Sequence, residues 1–327
     1  MIWQEQYQHL REALTAVHEI SEAEAMAALV VEHVGKKKFS QIKQEEVVAD
    51  EAVQIEQILQ QLLTHRPLQY VLNEAWFYGL KFEVNETVLI PRPETEELVD
   101  WIVKEVRAKK YEVRSKPRPT PSPDGLTIAG EPIQKQNVRD TKQEVQTEDS
   151  SYIVHRTSYI SILDIGTGSG CIPIALKKNL PEAEVSAIDV CSEALHTATA
   201  NAVNNETEIN FQLLDFLDES KWDQLSKYNI IVSNPPYIKT TEANTMSKHV
   251  LEFEPHKALF VPDDDALLFY RKIADFALQH LQANGAVYVE INQQLGKETV
   301  ELFQQKGFTV ELRNDMSGNE RMVKASL

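Results

Sequence analysis

Cysteine is scarce: two residues in 327, Cys171 and Cys191. That excludes a disulfide framework, and the spacings of a cysteine metal site are absent. Long apolar runs are missing too, and no stretch approaches the ~20 residues needed to cross a bilayer. The start, MIWQEQYQHLREAL, is polar and has no signal-peptide core. Basic side chains are outnumbered, 33 Lys and Arg against 50 Asp and Glu, for a net charge of −17. A surface of that sign repels phosphate backbones and anionic membrane faces, which disfavours general nucleic-acid binding and membrane association. The nine histidines are scattered. None pairs at metal-ligand spacing, so no metal is expected, and His249 and His256 read as surface residues. What is left is a cytoplasmic globular chain of ordinary composition, long enough for one large domain or two.

Glycine is rare at the start, with Gly35 alone before residue 66. Apolar residues there recur at three and four: Leu10, Leu14 and Val17, then Val53, Ile55, Ile58, Leu59, Leu62 and Leu63. The spacing predicts a helical bundle over residues 1–70, its last long helix ended at His65-Arg66-Pro67. Residues 71–92, rich in aromatic and β-branched side chains, predict a β-hairpin connector. Its strands are expected at 76–84 and 87–90, around a turn at Asn85-Glu86. Pro93 then suits a first helical turn, with Glu94, Glu96 and Glu97 complementing the dipole and a stripe of Leu98, Trp101, Ile102 and Val106 behind them.

Residues 112–157 break the pattern. Five of the 14 prolines lie here, and no aromatic residue occurs between Tyr111 and Tyr152. Such a segment buries too little to offset chain entropy and reads as a flexible insertion in a domain spanning 93–327. The basic run from Arg107 to Arg118 reads as a solvated helix end and linker. From residue 159 onward, strands and helices alternate. Strands are expected at 160–165, 184–189, 210–214, 230–233, 286–291 and 309–312, and helices at 171–179, 192–204 and 266–281. Alternation of this kind predicts an α/β fold with a doubly wound, mostly parallel sheet.

Two motifs carry chemistry. In the first, Ile162-Leu163-Asp164-Ile165 leads into Gly166-Thr167-Gly168-Ser169-Gly170, a strand followed by alternating glycines and a helix start. Glycines allow a tight turn and close approach of a ligand, and the helix N-terminus exposes free N–H groups. Asp189 closes the next strand, where a carboxylate can take both hydroxyls of a ribose. The turn is not G-x-G-x-x-G and has no phosphate-cradling lysine. Asp164 adds negative charge, unwelcome to a pyrophosphate and tolerable to a sulfonium with an ammonium group. S-adenosylmethionine thus fits better than NAD.

The second motif, Asn234-Pro235-Pro236-Tyr237, follows the fourth strand, at the carboxyl edge where open α/β sheets bind ligands. Asn234 offers a side-chain carbonyl and Pro235 a backbone carbonyl, both able to accept from an NH2 group. The two prolines stiffen the backbone. Tyr237 offers a flat face to a planar target. Two acceptors on one NH2 would aim its nitrogen at a methyl donor and support the positive charge that grows during attack.

With these motifs, VLIPRPETEELV at 88–99, EPHKALF at 254–260 and DMSGNERMV at 315–323, the chain resembles the release-factor glutamine methyltransferases. These are class I S-adenosylmethionine-dependent enzymes with a helical N-terminal domain. The resemblance implies that Gly166, Thr167, Gly168, Ser169 and Gly170 hold the methionyl part of the cofactor and that Asp189 takes the ribose. Asp215-Phe216, in place of the usual Asp-Trp, would flank the adenine. Asn234, which also borders the cofactor, together with Pro235, Pro236 and Tyr237, would bind the target glutamine amide, with Asn234, Pro235 and Tyr237 as the catalytic set. The implied substrate is the Gly-Gly-Gln loop of class I peptide chain release factors, recognised by the N-terminal helices, and a monomer is expected. Departures from the family are Phe216, Ser169 where threonine is common, Asn284-Gly285 where Gly-Gly is usual, and the segment 112–157. Two other readings stand beside this one. An adenine amino-methyltransferase of DNA shares the Asn-Pro-Pro-Tyr tetrad but would need to flip a base and grip phosphates; a non-enzymatic module would bind release factors without chemistry. Arg92 and Glu94 read as fixing the hairpin against the sheet or lining the glutamine pocket, Glu290 as a pocket-edge support or a solvent-facing carboxylate, and Cys171 and Cys191 as small packed residues.

Overall fold

The structure, a computed structural model, describes residues 1–115 and 160–327. The expectation for 112–157 therefore falls almost entirely outside the described residues. The chain forms two compact units, Met1–Val103 with Tyr159–Leu327, and Lys104–Ser158. Of the second, only the helical residues as far as Ser115 are described.

Helices open the first unit: α1 (Trp3–Leu14), α2 (Ile20–Gly35), α3 (Phe39–Ile42), α4 (Ala49–Leu62) and α5 (Leu68–Leu72). Both α1 and α4 begin with a glutamate that turns back on the chain. Glu5 Oε2 accepts from the Ile2 N–H at 2.9 Å, and Glu51 Oε2 from the Val48 N–H at 3.0 Å, which satisfies donors the helix leaves open. The periodic Leu10, Leu14, Ile55, Ile58, Leu59 and Leu62 all enter one apolar cluster, whereas Val53 faces solvent. Pro67 does not end α4, which stops at Leu62. It stands just before α5 instead, where its fixed φ suits a helix start.

The hairpin is tighter than its sequence implies. Strands β1 (Ala75–Phe77) and β2 (Leu80–Phe82) pair antiparallel around Tyr78-Gly79. Both turn residues have positive φ, 50° and 74°, as a two-residue hairpin requires. A tyrosine in that conformation is no turn signal; here the Tyr78 N–H is held by Glu96 Oε1 at 2.8 Å. Asn85-Glu86 is a local turn instead, with the Thr87 N–H donating to Asn85 Oδ1, and 87–90 is not a strand. Helix α6 (Pro93–Ser115) starts at the expected proline and buries Leu98, Trp101, Ile102 and Val106.

The remaining elements are β3 (Ser161–Ile165), α7 (Cys171–Asn179), β4 (Glu184–Asp189), α8 (Ser192–Asn204), β5 (Asn210–Leu213), β6 (Tyr228–Ser233), β7 (Ile238–Lys239), α9 (Lys248–Phe253), α10 (His256–Leu259), β8 (Phe260–Val261), α11 (Leu268–His280), β9 (Leu281–Glu290), α12 (Gly296–Gln305), β10 (Thr309–Asn314) and β11 (Glu320–Ser326). The large sheet runs β10-β11-β9-β6-β3-β4-β5, parallel except at β11, which is antiparallel to both neighbours. Central β3 is covered on both faces, so it reads as a nearly continuous apolar run. Edge strands β5 and β10 are half exposed. From β3 the chain winds outward to β4 and β5, then returns past β3 to β6. That reversal leaves a crevice at the carboxyl ends of β3 and β6, directly above the glycine turn and the tetrad.

One buried amide ties the hairpin to this crevice. Asn201 on α8 is fully buried. Its Nδ2 donates to the carbonyls of Glu83 and Ser169, each at 2.9 Å, and its Oδ1 accepts from the Glu83 N–H. Asn201→Ala removes three bonds and strands a carbonyl of the glycine turn, so a loss of about 3 kcal/mol is expected. In a chain of this size that is a fall of about 5–10 °C in Tm, read by thermal unfolding.

Candidate active site

The glycine turn is built by backbone geometry. Gly166, Gly168 and Gly170 sit at φ 75°, 53° and 79°, where any other residue is strained. The Gly166 and Thr167 N–H groups reach the Ile188 carbonyl on β4. Asp189, at the end of β4, accepts the Gly168 N–H at Oδ2 (2.8 Å) and the Cys191 N–H at Oδ1 (2.9 Å). Each carboxylate oxygen thus keeps capacity for a further donor. A cavity of about 350 Å³ opens beside them, lined by Gly166 through Ser169, Asp189, Phe216, Asn234, Pro235 and Pro236. Gly170 is not in its wall; it joins the turn to α7, where a side chain would press on Ala198 and Ile174.

Beneath the turn, both Asp164 oxygens and the hydroxyls of Thr167 and Ser169 are buried with no hydrogen-bond partner among the described residues. Burial pushes the Asp164 carboxyl up to about 7, opposed by Thr167 and reinforced by Asp189. Asp164 therefore carries only part of its charge at neutral pH, and it does not line the cavity. The negative charge expected of Asp164 near the turn is thus only partial, and it lies behind the cavity wall. What fits S-adenosylmethionine is the pair Thr167 and Ser169, whose hydroxyls lack partners and which stand in the cavity wall, suited to an ammonium-bearing amino-acid end, together with the space beside Asp189. The raised carboxyl has a consequence for stability. The unfolded chain loses the Asp164 proton near pH 4 and the folded chain near pH 7, so this group favours folding at low pH and ceases to do so as pH rises through 7. Asp164→Asn is expected to match the wild type at pH 4 and to gain on it up to pH 7, by roughly 4 kcal/mol at most, in thermal unfolding of the cofactor-free protein.

At the far end of the cavity, Phe216 stacks on Trp222 (centroids 5.5 Å apart, planes at 26°) and meets Phe276 edge-on. The Trp222 indole donates to the Phe216 carbonyl at 2.9 Å. The aromatic face at the cavity is thus backed by a buried tryptophan six residues away. Asp215 is not in the cavity wall; its Oδ1 accepts the Leu217 N–H.

The tetrad lies at the other end. Asn234 and Pro235 line both this cavity and a second one of about 180 Å³, whose wall includes Tyr237, Arg92, Met246 and Val250. Asn234 Nδ2 donates to Thr95 Oγ1 at 3.0 Å, and Thr95 Oγ1 to Glu290 Oε2 at 2.6 Å. The Tyr237 hydroxyl donates to Glu290 Oε1 at 3.2 Å, and burial next to that carboxylate pushes its own ionisation up. Ser233 Oγ donates to the Ile165 carbonyl at 2.7 Å, holding the tetrad against the strand that enters the glycine turn. Arg92 pairs with Glu254, so the Pro-Arg-Pro stretch and the 254–260 motif meet across the crevice. Arg92 also lines both cavities, and Glu94 lines neither.

The sequence does not mark Thr95 as a site residue, although it stands within VLIPRPETEELV: a buried hydroxyl in a first helical turn has no periodic signature. Glu290 is 2% exposed, which removes its solvent-facing reading. His256 is exposed as expected, yet it stands in the cavity wall, and His249 is half-buried. Cys171 is buried with its thiol pushed up to about 12 by desolvation, consistent with packing rather than chemistry. Among the described residues no His, Cys, Asp or Glu cluster could hold a metal, and no helix is long and apolar enough to cross a membrane.

Residues 152–259 match the family model described as Methyltransferase small domain. The chain is similar to proteins named release factor glutamine methyltransferase in several bacteria. Identity is 41% over 324 residues with that of Flavobacterium psychrophilum, covering 96% of this chain and 95% of the relative. It is 33% over 322 residues with that of Bacteroides thetaiotaomicron (97% and 98%) and 37% over 283 residues with that of Streptococcus pneumoniae (86% and 82%). Seen with the parallel sheet and its glycine-turn crevice, these matches establish that the chain belongs to the release factor glutamine methyltransferase family.

Proposed function

We propose that the enzyme transfers a methyl group from S-adenosylmethionine to the side-chain amide nitrogen of the glutamine in the Gly-Gly-Gln loop of class I peptide chain release factors. The observation that carries this reading is the position of Asn234 and Pro235, which line both cavities: the one of about 350 Å³ takes the cofactor in this reading, and the one of about 180 Å³ takes the amide. With its Nδ2 committed to Thr95, Asn234 has its Oδ1 left for the substrate NH2, and the Pro235 carbonyl supplies a second acceptor. The cofactor, when bound, supplies an electrophilic methyl on a sulfonium. Asn234 and Pro235 hold the amide nitrogen in line with it and accept the growing positive charge of its protons. Tyr237, fixed by Glu290, covers the flat face of the amide. Gly166 through Ser169, Asp189 and Phe216 keep the cofactor in place. No strong base is needed before transfer, because the proton leaves afterwards.

The helices of residues 1–70 serve to recognise the release factor, the hairpin region 71–92 links them to the catalytic part at 93–327, and the enzyme works as a cytoplasmic monomer. The charge of −17 opposes a phosphate-gripping substrate such as DNA. Mass spectrometry of a release factor incubated with enzyme and cofactor is expected to show one added methyl on the Gly-Gly-Gln glutamine. An unmodified glutamine in every class I release factor tried, with cofactor bound, would falsify the reading.

A further inference from the structure

Asn234 is useful as an acceptor only if its amide faces the right way round. Rotated by half a turn, the group would present NH2 to a substrate NH2, donor against donor. The two orientations have nearly the same shape, so packing cannot choose between them. Hydrogen-bond polarity can.

Three elements distant in sequence meet behind Asn234. Thr95 comes from the first turn of α6, Glu290 from the end of β9, and Asn234 from just after β6. Thr95 and Glu290 are each 2% exposed, so water does not take their place. The Thr95 hydroxyl has one proton. Both Glu290 oxygens are placed as acceptors, Oε1 toward Tyr237 and Oε2 toward Thr95 at 2.6 Å, so the proton on the Thr95 oxygen goes to Glu290. Toward Asn234 the same oxygen has only lone pairs to offer, and only the NH2 end of the amide can face it, as it does at 3.0 Å. The carbonyl end must then point away from Thr95. Tyr237 is set by the other oxygen of the same carboxylate, and the Tyr270 hydroxyl holds the Glu290 carbonyl.

Resting on the amide-transfer reading above, we propose that Thr95 and Glu290 are positioning residues that fix which end of the Asn234 amide faces the substrate. Neither touches the reacting atoms. Glu290 sets the direction of the hydrogen-bond chain, Thr95 passes it on, and Asn234 presents the result.

The arrangement depends on Glu290 being ionised. Burial pushes its carboxyl up, while Thr95, Arg321 on β11 and Tyr237 pull it down and Glu94 at the start of α6 adds a further push upward. Once protonated, Glu290 can donate to Thr95, which then donates to Asn234 and favours the reversed amide. Turnover is therefore expected to fall in acid through a carboxyl titrating above the ordinary glutamate range.

Steady-state methylation of a release factor, with cofactor affinity measured separately, tests the assignment. Thr95→Val keeps the shape and removes the hydroxyl; its kcat is expected to fall about 10- to 100-fold, with KM for the release factor and Kd for the cofactor within ~3-fold of wild type. Thr95→Ser, which restores the hydroxyl, is expected to return kcat to within ~3-fold. Glu290→Gln cannot ionise, and its kcat profile is expected to lose the acid limb. If Thr95→Val does not fold by thermal unfolding, Thr95→Ala compared with Thr95→Ser takes its place. A folded Thr95→Val with wild-type kcat, a Thr95→Ser as slow as Thr95→Val, or an acid limb that survives Glu290→Gln overturns the inference. A wild-type enzyme that methylates no release factor overturns the substrate reading instead, so the two failures are distinct.

Discussion

Asn234→Ala is expected to bind cofactor within ~3-fold of wild type and to transfer methyl at least ~100-fold more slowly. Asn234 borders the cofactor cavity but makes none of the bonds that shape the glycine turn or hold Asp189. Its loss leaves those contacts in place. What disappears is a preorganised acceptor aimed at an NH2 group whose protons become more positive as the carbon–nitrogen bond forms. Removing one such group from a water-poor site costs about 10²–10³ in rate. Alanine also leaves Thr95 without its donor partner, though Thr95 stays bonded to Glu290. Asn234→Asp separates the two effects. Its carboxylate still offers an acceptor to the substrate but puts an oxygen against the Thr95 lone pairs, so it is expected to stay slow while binding cofactor. Single-turnover rates at saturating cofactor, beside calorimetric titration of the cofactor, give the comparison. An Asn234→Ala enzyme with near-normal turnover and weakened cofactor binding would move the tetrad's role from the substrate to the cofactor.

How legible the fold was depended on what buries each element. Strands β3 and β4 and helices α7 and α8 stand where apolar runs and helical spacing put them, because their packing is dense enough to leave a pattern. Helix α12 was missed although Val300, Leu302 and Phe303 give it an apolar face, because it is ten residues long and its other positions are polar. Strand β11 was missed because its pairing with β9 and β10 exists only in three dimensions; in sequence it is a charged tail. The hairpin turn was placed too late because Asn85-Glu86 is a good turn signal and Tyr78-Gly79 a poor one, yet Tyr78 at positive φ is held by Glu96. The candidate site divides in the same way. The glycines, Asp189 and the tetrad each lie in a local motif. The bonds behind them do not: Thr95 and Glu290 are 195 residues apart, and Arg92 and Glu254 are 162 apart. Asp164 was visible as an acid, but its burial without a partner, which changes its charge, was not.

Asp189→Ala is expected to show the opposite split from Asn234→Ala: cofactor binding about 100-fold weaker, with kcat at saturating cofactor within ~5-fold. The carboxylate does two jobs at once. It takes the Gly168 and Cys191 N–H groups, which holds the glycine turn against the end of β4, and it offers its remaining lone pairs to the cavity. A hydrogen bond to a charged group contributes ~1.5–3 kcal/mol, so loss of two ligand contacts, softened by water entering in their place, comes to about 3 kcal/mol, or roughly 100-fold in Kd. Asparagine is not a gentle replacement here. Its NH2 would meet either the Gly168 or the Cys191 N–H, donor against donor, so Asp189→Asn is expected to lose nearly as much as alanine. Turnover is spared because the hydrogen bonds of Asp189 go to Gly168 and Cys191, whereas Asn234, Thr95 and Glu290, the groups that set the amide, bond among themselves. Calorimetric titration with S-adenosylmethionine and turnover at saturating cofactor decide the matter. An Asp189→Ala enzyme that binds normally and turns over slowly would place the nucleoside away from the end of β4 and reverse the assignment of the two ends of the crevice.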